Sequence, residues 1–76
     1  VSDDAGVTAR SLVQALRRIP SVVEVQTFDR PAGGVEVRLW VYEGPGPTDL
    51  WFGQLAVRHL GLELASFDLY RIPRVD

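Results

Sequence analysis

Seventy-six residues with eight Arg, no Lys and ten acids make one small, weakly acidic domain of net charge −2. There is no cysteine, which excludes disulfide staples, thiolate metal sites and a cysteine nucleophile. Hydrophobic residues at 46% are too many for a disordered chain, and the absence of a basic excess argues against nucleic acid as a partner. No apolar run approaches the roughly 20 residues of a membrane helix, so any membrane attachment is expected through segments outside this stretch. The first residue is Val, and the chain is expected to be a piece of a larger protein or to have lost its leader.

Ser2-Asp3-Asp4 reads as the opening of a helix, with short acceptors for free amides and acids complementing the dipole. Thr8, Leu12, Ala15, Leu16 and Ile19 then recur at helical spacing up to Pro20, which stops the helix. Val22–Phe28 predicts a strand with Val23, Val25 and Thr27 on one face and Val22, Glu24, Gln26 and Phe28 on the other. Turn residues fill positions 29–34, so a hairpin loop of about five or six residues follows.

The second strand, Val35–Tyr42, alternates without a fault. Val35, Val37, Leu39 and Val41 lie on one side; Glu36, Arg38, Trp40 and Tyr42 lie on the other. Gly44-Pro45-Gly46-Pro47 makes a stiff connection. Thr48 or Asp49 caps a second helix that runs to about Leu60, with Gly61 as its stop and Phe52, Leu55, Ala56, His59 and Leu60 on one stripe. Leu62 to Ile72 reads as extended, with Ala65, Phe67 and Leu69 facing one way and Leu64, Ser66, Asp68 and Tyr70 the other.

The order α-β-β-α-β predicts an α+β two-layer sandwich. A right-handed crossover makes the last strand parallel to the second, so the sheet is three-stranded and mixed, with both helices on its aliphatic face. This is a ferredoxin-like arrangement lacking the first strand.

Candidate chemistry is sparse. His59 alone does not make a metal site, which takes about four ligands for structural zinc. It reads first as a half-buried residue at a helix end and second as a general base with no nucleophile near it in sequence. Asp3-Asp4 reads as capping rather than as a metal pair. The Gly44–Pro47 loop lacks the ending of a phosphate loop, and its prolines remove amides. No catalytic, cofactor-binding or metal residues are assigned, and no enzyme is expected.

The opposite sheet face is the candidate site. Trp40, Tyr42, Phe28, Tyr70 and Leu64 are expected near one another there, with Arg38 and several acids around them, as a protein contact. The competing reading is that cross-strand aromatic pairs only stabilise the sheet. Trp51 at the start of the second helix is a further contact candidate, or it folds back over the Gly-Pro loop. The unpaired edges of the outer strands are a second place for a partner strand.

The stretch Leu60-Gly61-Leu62-Glu63-Leu64-Ala65-Ser66-Phe67-Asp68-Leu69, with the order of elements, resembles the periplasmic ferredoxin-like domains of inner-membrane assembly-platform proteins in type II secretion and type IV pili. That resemblance implies a non-catalytic bacterial domain, on the periplasmic side of the inner membrane, that forms a homodimer or pairs with a similar domain. The Gly-Pro-rich loop departs from that group. The stretch Leu16-Arg17-Arg18-Ile19-Pro20-Ser21-Val22-Val23-Glu24-Val25 looks like the opening of cytoplasmic C-terminal domains of cation-diffusion transporters and of amino-acid-sensing domains. This second resemblance implies a regulatory domain that senses a metal or a small metabolite. A weaker likeness, in element order alone, is to ring-building domains of secretion and sporulation complexes.

Overall fold

A computed structural model describes residues 3–74. Helix α1 spans Asp3–Arg17, strand β1 Val22–Asp29, strand β2 Val35–Tyr42, helix α2 Asp49–Leu60 and strand β3 Leu64–Ile72, with a 3-10 turn at Gly61–Glu63 before β3. The sheet order is β1-β2-β3, with β1 antiparallel and β3 parallel to the central β2. This is the α+β two-layer sandwich that the element order predicts.

The period of β2 sets the layering. Val35, Val37, Leu39 and Val41 are all buried, while Glu36, Trp40 and Tyr42 are half-buried and Arg38 is exposed. The buried side meets Leu12 and Leu16 of α1 and Phe52, Ala56 and Leu60 of α2, so both helices roof the same face. Leu12 and Leu16 lie one turn apart on α1, and Phe52, Ala56 and Leu60 repeat every four residues on α2, as an amphipathic helix requires. The first helix ends before Ile19, with Ile19 N–H donating to the Leu16 carbonyl and Val22 N–H to the Ile19 carbonyl across the turn at Pro20. The cap expected at Ser2 lies outside the described residues.

Helix α2 is closed at both ends by the expected chemistry. The Thr48 hydroxyl accepts from Trp51 N–H at 3.2 Å, and Gly61, at φ 55°, turns its N–H back to the Val57 carbonyl. The hairpin loop is closed by Arg30 N–H to the Gly34 carbonyl and Gly33 N–H to the Arg30 carbonyl. Gly34 has φ +91°, and a Cβ there would stand 3.0 Å from Ala65 Cβ, so this position needs glycine twice over.

Two bulges correct the face assignments made from strict alternation. In β1 the register passes from Val22↔Val41 to Glu24↔Trp40, so Val23 is the extra residue. Val22 therefore packs on the core and Val23 is exposed, the reverse of the expectation. In β3 the register passes from Val35↔Leu64 to Glu36↔Ser66, which leaves Ala65 extra and exposed. Leu64 moves from the expected outer face to the core side. Leu62 and Glu63 belong to the 3-10 turn rather than to the strand, and Leu62 is fully solvated.

Leu39 is fully buried at the centre of the sheet. Leu39→Ala should cost about 2–5 kcal/mol, and in a domain this small equilibrium urea unfolding should show most of its stability gone.

Candidate protein-docking face

The outer face of the sheet is built by register. Across β1-β2-β3 the rows are Phe28–Glu36–Ser66, Gln26–Arg38–Asp68 and Glu24–Trp40–Tyr70, with Tyr42 opposite Ile72 at the end. Even-numbered residues of β2 point this way because their odd-numbered neighbours are taken by the core. Residues 66 to 72 of β3 keep the same parity because the bulge lies before them.

Three contacts organise this face. Trp40 and Tyr70 stack directly across the parallel pair, with centroids 5.3 Å apart and planes 21° from parallel. The Arg38 guanidinium lies over the Phe28 ring at 5.1 Å, a diagonal contact across the antiparallel pair. Arg74 lies over the Tyr42 ring at 5.2 Å. At exposed sites each such cation–π contact contributes about 0.5–1 kcal/mol, and an aromatic pair about 0.5–1.5 kcal/mol beyond area burial. At the hairpin end, Arg30 donates to Glu36 Oε1 from Nε at 2.9 Å and from Nη2 at 2.6 Å. At the opposite end, beside the start of α2, Arg71 pairs with Asp49.

The structure thus brings Phe28, Arg38, Trp40, Tyr42 and Tyr70 onto one face. Phe28 is 42% and Tyr70 45% exposed, so their mutual contacts do not hide them. Trp51 does not join them. It sits on α2, in the other layer, edge-on to Phe52, and remains 44% exposed. Leu64 is absent from the face because of the Ala65 bulge. Arg74 belongs to it and was missed. Continuing the even parity of Tyr70 and Ile72 past Pro73 leads to it.

This surface offers flat aromatic and guanidinium groups, with carboxylates of Glu24, Glu36 and Asp68 among them. His59 is half-buried in the last turn of α2, in the helical layer. Among the described residues no three His, Asp or Glu side chains gather as a metal-holding group. Among the described residues no helix is long and apolar enough to cross a membrane.

The Trp40–Tyr70 stack is testable by a double-mutant cycle with Trp40→Leu and Tyr70→Leu. Urea unfolding should return a coupling of about 0.5–1.5 kcal/mol, and Tyr70→Leu should alter the tryptophan fluorescence of the native state.

No protein-family model and no curated protein matches this chain. Among solved structures, a point variant of MamM is similar at 14% sequence identity and a TM-score of 0.49, over 91% of this chain and 95% of that one.

Proposed function

We propose that this chain is a non-catalytic protein–protein interaction module that docks through its open sheet face, as a homodimer or against a similar domain, in a bacterial membrane-associated assembly. One observation carries the reading: Trp40, Tyr70, Phe28 and Tyr42 share a face that no second layer of the described chain covers. Aromatic residues and arginine are enriched in contact patches, and here the Arg38–Asp68 row lies between Phe28 and the Trp40–Tyr70 stack. The aromatics are also held in place by stacking and by arginine, so less side-chain freedom is lost when a partner arrives. The resemblance of residues 60–69 to assembly-platform domains supports the same reading.

A second reading, a regulatory domain that senses a metal or small metabolite, rests on the helix-Pro-strand turn at Leu16–Val25. The turn closes tightly through the Ile19 and Val22 amides, and the segment resembles the opening of transporter tails and amino-acid-sensing domains.

Sedimentation against concentration separates the two. The interaction module should self-associate, or bind its partner, and Trp40→Ala should weaken that association by about 1–3 kcal/mol with the fold retained. If association is unchanged while stability falls, Trp40 serves the sheet alone. A rise in melting temperature with divalent cations or amino acids, and no change in sedimentation, would favour the sensor.

A further inference from the structure

On the other side of the molecule, away from Trp40, a groove of about 480 Å³ runs between α2 and β3 at the outer margin of the sheet. Its walls are Leu50 and Val57 of α2, 70% and 55% exposed, and its floor is Leu64 and Phe67 of β3. Gly53 lies between the two walls. A Cβ built on Gly53 would meet nothing within 4 Å, so among the described residues no packing calls for glycine there. In a helix interior glycine costs about 1 kcal/mol relative to alanine. The effect of its missing side chain is to keep the groove open.

Beside this groove runs the free edge of β3. The strand has nine residues and pairs only with β2, so its outer row of amides and carbonyls has no strand partner among the described residues. An open ladder is satisfied best by another extended backbone, whose N–H and C=O groups recur at the same spacing. Both edge strands carry one bulge, at Val23 and at Ala65, but the cleft beside β1 is lined by Arg10, Gln14, Arg17, Thr27 and Asp29 and is polar where the groove beside β3 is apolar. At the rim of the groove Arg58 is exposed and forms no ion pair among the described residues.

We propose that the β3 edge and the α2–β3 groove together bind an extended peptide segment of a partner protein, adding it as a fourth strand. Its alternate side chains are apolar and enter the groove past Gly53, and one acidic side chain meets Arg58. The backbone ladder sets the occupant's conformation, the groove sets its apolar alternation, and Arg58 sets the charge. This site is separate from the aromatic face and does not depend on it.

The test pans a phage-displayed random peptide library, about twelve residues long to span a strand, against the intact chain. Enriched peptides should alternate apolar and polar residues and carry an acid. On binding they should slow amide hydrogen exchange in β3 and leave β1 unchanged. Gly53→Leu fills the groove with a better helix former, so it should fold and weaken the selected peptide by about tenfold. Gly53→Ala should raise thermal stability and weaken binding less, and Trp40→Ala should leave binding intact. The proposal is overturned if no peptide is enriched, if binding ignores Gly53→Leu, or if β3 exchange is unaltered by the peptide. It is also overturned if β3 becomes protected simply as protein concentration rises, which would make a second copy the occupant. Loss of binding in Trp40→Ala would assign the peptides to the aromatic face instead.

Discussion

The two-residue period of β2 constrains everything else in this molecule. Four aliphatic side chains on one side of a central strand, all nearly solvent-free, require a roof, and α1 and α2 supply it. The same geometry forces Arg38, Trp40 and Tyr42 to the opposite side. Among the described residues there is one sheet and no further layer over them. The core and the exposed aromatic face are therefore two consequences of one alternation.

The outer face is ordered by its own side chains. Trp40 rests on Tyr70, Phe28 lies under Arg38, and Tyr42 lies under Arg74, so the three strands are tied across the sheet on the solvent side as well. Contacts of this kind stabilise the sheet and also fix the aromatics in defined orientations. The structural and the interaction readings of Trp40 thus coexist in one geometry, and only the response of association separates them.

The helical layer has a different character. Helix α2 buries Phe52, Ala56 and Leu60 while leaving Leu50, Trp51 and Val57 exposed on its other flanks. Leu50 and Val57 are not among the side chains packed against the core. The two bulges matter here as well. By setting Ala65 aside, the β3 bulge turns Leu64 inward and under α2, which forms one end of the groove floor. Gly34 makes room for that bulge, so a hairpin glycine and a distant strand irregularity are linked by contact.

Local pattern alone determined the element order, the span of β2, the Thr48 and Gly61 caps of α2, and the mixed three-stranded sheet with its helices on one side. These features rest on short-range causes: side-chain alternation, capping hydrogen bonds, and glycine or proline punctuation. The placement of Phe28, Arg38, Trp40, Tyr42 and Tyr70 on a single face was likewise legible, because parity carries across paired strands. Tertiary structure decided what parity cannot. One extra residue at Val23 and one at Ala65 reversed the faces of Val22, Val23, Leu64 and Ala65, since a bulge is chosen by the fit between neighbouring strands. It also put Trp51 in the opposite layer, brought Arg74 back over Tyr42, and opened the groove beside β3. Each of those depends on how separate elements meet in space, which no local period records.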